Sequence, residues 1–114
     1  MVSIKTGDKL FLITRQDIAL GYQAVQSCHA MRQFTADHPE VDLDWFKKSN
    51  YLALLSVANE TELMRLIVSA SDEGLRWSAF REPDVNGEIT AIAIEPHPKS
   101  AILCSKLPLA MKGI

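Results

Sequence analysis

The amino-acid sequence predicts an α/β domain in which a small four-stranded mixed sheet carries helices on both faces, giving three layers, α/β/α. Three observations predict it. Four segments of strand length, Lys9 to Thr14, Tyr51 to Val57, Leu75 to Arg81 and Glu88 to Ile94, are rich in apolar residues or alternate apolar with polar ones. Segments with helical spacing lie between the first and second and between the second and third. The last two are separated only by Glu82-Pro83-Asp84-Val85-Asn86-Gly87, a dense turn signal too short for a crossover, so they form an antiparallel hairpin.

Taken in order, Lys9 to Thr14 is a nearly continuous apolar run, as expected of a strand covered on both faces. Arg15-Gln16-Asp17 leaves its end as a polar loop, and Gly21 opens a helix that stops near His38-Pro39, because proline disfavours helix in the residue before it. Ala24, Cys28, Met31 and Thr35, with Val25 beside them, form one small apolar side of this helix, while Tyr22, Gln26, His29 and Gln33 gather on the other. That polar, uncharged row is either a solvated face or a recognition surface. Val41 to Lys48 is a short second helix whose Trp45 and Phe46 belong to the core. Asn59 and Glu62 have the spacing of a capping-box start, and Leu63, Leu66, Ile67 and Ala70 give the next helix its apolar stripe as far as Gly74. Pro96-His97-Pro98 breaks the last strand, and Lys99 to Leu107 forms a final short helix before Pro108.

The chain of 114 residues suits one domain, 1–114, with no linker. A net charge of −2 gives no global pull toward nucleic acid, so any RNA contact must rely on a local patch. No apolar run approaches the ~20 residues that span a bilayer, and Met1 to Asp8 lacks a signal-peptide core, so the expected setting is cytoplasmic with no membrane partner. Cys28 and Cys104 are read as small buried residues, unpaired in a reducing compartment. No Cys/His cluster with metal-ligand spacing, phosphate-binding glycine loop or Gly-x-Ser-x-Gly elbow is present, so neither a metal nor a cofactor is expected.

The loop Arg15-x-Asp17-Ile18, the helix pattern Gly21-x-x-Ala24-x-Gln26-x-x-His29-Ala30 and the late Gly87-x-x-Thr90-Ala91-Ile92-Ala93-Ile94 strand together resemble the class II peptidyl-tRNA hydrolases over nearly the whole domain. The resemblance implies cleavage of the ester joining a peptide to the 3′ end of tRNA, with tRNA as partner and a homodimer as a common assembly. Three departures stand out. The family places lysine directly after the helix-opening glycine, where this chain has Tyr22; the preceding loop lacks the family's other lysine; and the family's Asp-Ala-Gly-x-Thr turn is replaced by Glu82-Pro83-Asp84.

Ester hydrolysis needs a positioned water, a group that orients it or takes its proton, and donors for the oxyanion. Glu82 or Asp84 holds the water in this reading, Thr90 donates a hydrogen bond, and backbone amides at the start of the first helix assist the oxyanion. Tyr22 offers a phenolic donor and a ring that stacks on a base. His29 is either a general base or a structural histidine bonding a loop carbonyl. Asp17 either caps the first helix or belongs with Arg15, Gln26 and Arg81 to the substrate-binding set; Arg15, Arg81 and Lys9 are the residues available for a local basic patch. Two rival functions share the fold: a non-catalytic module binding tRNA or protein, and a small-molecule ester or amide hydrolase that needs no basic patch.

Overall fold

A computed structural model describes residues 3–112. The first apolar run forms β1 (Lys9–Arg15), followed by the long helix α1 (Leu20–Asp37), the short helix α2 (Pro39–Lys48), β2 (Tyr51–Val57), α3 (Glu60–Asp72), β3 (Trp77–Glu82), β4 (Glu88–Ile94) and α4 (Pro98–Leu103). The four strands form one sheet in the order β2-β1-β4-β3. β1 runs parallel to β2 and antiparallel to β4, and β3 and β4 form the hairpin. The two central strands are β1 and β4, and both are buried along nearly their whole length, which is why they read as continuous apolar runs.

Period-two alternation along β1 divides the core in two. Leu10 and Leu12 face α1 and α2 with Phe34, Trp45 and Ala93, whereas Phe11 and Ile13 face α3 and α4 with Leu63, Ala70, Ile92 and Cys104. The mixed three-layer architecture is therefore as the sequence predicts. Local chemistry explains the element ends. Asn59 accepts a bond from the Glu62 amide at 3.1 Å and starts α3, although the Glu62 carboxylate turns to Arg65 and does not complete a capping box. Pro39 sits at the first position of α2, where a missing amide hydrogen costs nothing.

Several expectations are corrected. β1 extends through Arg15, which is thus a strand residue with a buried side chain. β3 begins at Trp77, because Leu75 is still tied by its amide to Ala70 at the end of α3. The last helix ends at Leu103; beyond it the tail pairs with β2, Leu109 bridging to Leu55 while the Ala110 amide bonds the Leu54 carbonyl at 2.9 Å. Most consequential, the two sides read for α1 are not its inner and outer faces: the buried side draws on both, Met31 packing on the core with Gln26 while His29 stays exposed. Gln23, Gln26, Ser27, Ala30 and Phe34 are buried against the sheet, while Val25 and Cys28 face solvent. Burying glutamines is permissible only where each finds partners, and both do. Phe46 is also exposed, so only Trp45 of the aromatic pair belongs to the core.

Candidate active site

Thr90, Gln26, Glu82 and Tyr22 form a continuous hydrogen-bonded chain at the carboxyl ends of β1 and β3. The Thr90 hydroxyl donates to Gln26 Oε1 at 2.5 Å, Gln26 Nε2 donates to Glu82 Oε1 at 3.0 Å, and the Tyr22 hydroxyl donates to the same carboxylate oxygen at 3.1 Å. Gln26 and Thr90 are fully buried, whereas Tyr22 and Glu82 are half-buried. The order of donors and acceptors fixes the Gln26 amide: its oxygen must face the threonine and its nitrogen the carboxylate. Bonding from Gln26, and then from Tyr22, lowers the pKa of Glu82 below the usual carboxylate range. Partial burial and the bond to that carboxylate raise the Tyr22 phenol, so at neutral pH an ionised glutamate faces a neutral tyrosine.

A β-bulge makes this chain possible. Phe80 pairs with Ala91 but Arg81 pairs with Ile89, which leaves Thr90 as the extra residue of β4. With Ile89 and Ile92 both in the α3-side core, strict alternation would send Thr90 to that same side; the bulge turns it toward α1 instead. The polar backbone groups around the bulge are taken by side chains. Thr14 donates to the Thr90 carbonyl at 3.1 Å, Glu60 accepts from the Ile89 amide at 2.8 Å, and Arg15 donates to the Ile89 carbonyl at 3.2 Å.

Arg15 is fully engaged. It holds Asp17 through two bonds, Nε to Oδ1 at 2.8 Å and Nη2 to Oδ2 at 2.9 Å, and Glu88 through Nη1 at 2.7 Å. The Asp17 carboxyl is correspondingly held below its ordinary pKa, and the guanidinium pKa is raised. Asp17 is therefore no helix cap; α1 starts at Leu20 after Ala19, which offers no side-chain cap, and its first turn carries no acid. Lys9 lies at the opposite end of β1 from Arg15, and Arg81 faces the α3 side, where its Nη1 donates to the Gly87 carbonyl at 3.2 Å. The three basic residues do not converge. Asp84 is exposed in the one-turn 3₁₀ segment Pro83–Val85, and His29 is exposed with its ring stacked on Phe80 at 4.3 Å, next to Glu82. Gln23, by contrast, secures the loop, donating to the Ile18 carbonyl at 2.8 Å.

Among the described residues no group of His, Cys, Asp and Glu is arranged to hold a metal ion, and no described helix is long and apolar enough to cross a membrane. Two concavities of about 570 and 560 Å³ lie away from this chain, one at the carboxyl end of α1 around His38 and Glu95 and the other along the outer edge of β3.

Residues 9–107 match the family model of peptidyl-tRNA hydrolase PTH2. The chain belongs to that family. No curated protein matches it at a significant level. Among solved structures, a protein of unknown function from Agrobacterium tumefaciens strain C58 superposes with a TM-score of 0.64 at 12% identity, over 96% of this chain and 98% of the other. At that identity the likeness is one of fold. Within the PTH2 frame, the residues that sequence reasoning overlooked are Thr14, Glu60, Phe80 and Glu88, which fasten the bulge, Arg15 and His29. Their only signal in the sequence is polarity or aromaticity at strand ends, and it gives no partner.

Proposed function

We propose that this PTH2-family protein hydrolyses the ester between a peptide and the 3′ end of tRNA, with Glu82 orienting the water. The observation that carries this reading is the Glu82 carboxylate, ionised and held in one place by Gln26 and Tyr22 beside the uncapped start of α1. Both side-chain donors use Oε1, which leaves Oε2 to accept from the attacking water. A carboxylate stabilised by two donors is a weak base, so its main contribution is orientation, with the proton passing to Glu82 or to solvent as the tetrahedral intermediate forms. Donors for the oxyanion are the Tyr22 hydroxyl and the amides of the first turn of α1, where the helix dipole also favours negative charge. Thr90 is buried and acts by orienting Gln26. His29, exposed over Phe80, borders the substrate side and supplies a ring for a base or the terminal adenosine. The setting in this reading is cytoplasmic.

A blocked aminoacyl-tRNA tests the proposal. Glu82→Gln and Tyr22→Phe should each lower single-turnover release of tRNA by about 10²-fold, the usual cost of losing one preorganised group. Unchanged rates in both would refute it. One observation favours a second reading. Tyr22 stands in place of the family lysine and Arg15 is saturated by two carboxylates, so the site has little free positive charge for phosphate. A non-catalytic tRNA-binding module follows if wild type is inert while Tyr22→Lys is active.

A further inference from the structure

The layer on the α3 side of the sheet is incomplete. α3 packs on β1, β3 and β4, and only the six-residue α4 and the tail behind it reach the amino ends of β1 and β2. A cavity of about 370 Å³ remains beneath them. Its floor is Phe11, Ala53 and Leu55, which strand alternation and the pairing of Phe11 with Ala53 place on one face, and its opposite wall is Ala101, Cys104 and Leu107. A gap between apolar walls forfeits the dispersion contacts of a packed interior, and pockets for small molecules begin at about 300 Å³.

The mouth is polar, and the Pro96-His97-Pro98 turn builds part of it. His97 is extended, as suits a residue before proline, and its Nδ1 accepts from the Lys99 amide at 3.0 Å. The neutral ring therefore carries its hydrogen on Nε2, a donor that no described residue uses. Lys9, two positions before Phe11 and so on the same face of β1, is exposed and forms no ion pair among the described residues. Asp8 also borders the mouth, but its Oδ2 is turned into its own loop, where it accepts from the Lys5 amide at 2.8 Å. The buried Cys104 thiol, pushed up to about 11 by its burial, adds no charge to the interior. A ligand that matches this surface has an anionic acceptor at one end and an unbranched apolar body.

We infer that the cavity binds a medium-chain fatty acid, its carboxylate held at the mouth by Lys9 and His97 Nε2 and its chain laid over Phe11, Ala53 and Leu55 beneath α4. A peptide ending in an apolar residue also offers a carboxylate, but its amides would be buried against walls that supply them no partner. The site lies at the opposite end of β1 from Arg15 and the hydrogen-bonded chain of Glu82, and it stands whether or not the hydrolase reading does.

Sodium octanoate, titrated into the whole protein below its micelle-forming concentration and followed by calorimetry and methyl NMR, tests the inference. The expected result is saturable binding with a Kd below about 1 mM, with shifts confined to Ala53, Leu55, Ala101 and Leu107. From butanoate to octanoate the affinity should rise about two- to fourfold per added methylene. Lys9→Met keeps the aliphatic stem and should weaken octanoate at least about fivefold while leaving octan-1-ol within about twofold. Lys47→Met, an exposed change on α2, should alter neither. Ala53→Phe should fill the cavity and block both ligands; should it fold poorly, Lys9→Met still decides, because Lys9 is exposed. Absence of saturation by about 10 mM, an affinity indifferent to chain length or to Lys9→Met, or shifts elsewhere would overturn the proposal. So would tighter binding of N-acetyl-leucine than of octanoate, which points to a peptide end, or an affinity that falls as protein concentration rises, which points to a second copy in the cavity.

Discussion

Replacing Thr90 with valine removes one hydroxyl and changes the side-chain shape little, so its effect isolates the bond to Gln26. That bond is 2.5 Å long and joins two fully buried side chains. Without it, Gln26 Oε1 is buried with no donor, at a cost of about 1–3 kcal/mol. The amide also loses its reason to keep oxygen toward β4, and its nitrogen is no longer committed to Glu82. The folded-state pKa of Glu82, lowered mainly by Gln26, should then rise toward its ordinary value. The sign follows: a lowered carboxyl pKa stabilises the fold above the unfolded pKa and is lost as pH falls through the folded one, so the variant should lose part of its pH dependence at the acid end. Urea unfolding measures the first effect and carboxyl ¹³C titration of Glu82 the second. In a Gln26→Met background the same Thr90→Val change should cost almost nothing, since no acceptor is left stranded. A Thr90→Val protein within about 0.3 kcal/mol of wild type and with an unmoved Glu82 titration would refute the reasoning.

Further outcomes follow from other parts of the structure. Asp17→Asn should remove about 1 kcal/mol, because the carboxylate is 41% exposed and solvent screens its pairing with Arg15. The loss should be present at neutral pH and vanish in acid, as the wild-type carboxyl itself becomes protonated; equal destabilisation at all pH values would contradict the assignment. Gly21→Ala meets open space and lies within α1, so it should stabilise the fold by about 0.5–1 kcal/mol in thermal unfolding. If that stabler protein binds tRNA more weakly, the substrate approaches the helix start closely. A thiol reagent at pH 8 should label Cys28 quickly and spare Cys104, whose burial pushes its thiol up to about 11; rapid double labelling would place Cys104 nearer the surface.

The order of elements and the hairpin were legible in the sequence because apolar runs, the Asn59 cap and the Pro83 to Gly87 turn are local signals. The faces of α1 were not. A row of Tyr22, Gln26 and His29 reads as an outer face unless one knows that Thr90 and Glu82 wait on the sheet to satisfy Gln26. Those partners lie 56 and 64 residues away, and the bulge that aims Thr90 leaves no mark in Glu88-Ile89-Thr90-Ala91. Arg15 misled for the same reason: its engagement with Glu88 spans 73 positions, so a cation free in the sequence is spent in the fold. Cys28, read as buried, lies at the surface because the helix turns Gln26 and Ser27 inward in its place. The candidate residues themselves, Tyr22, Gln26, Glu82 and Thr90, were visible through the family pattern, but their division into exposed and buried members required the sheet.

The central claim is that the Glu82 carboxylate orients a water for ester cleavage. Single-turnover release of tRNA from a blocked aminoacyl-tRNA, compared between wild type and Glu82→Gln at saturating enzyme, tests it most directly. The account predicts measurable release by the wild type and a fall of about 10²-fold in the variant with binding of the tRNA retained. Equal release by both proteins, or no release by the wild type under conditions where it binds the tRNA, would contradict it.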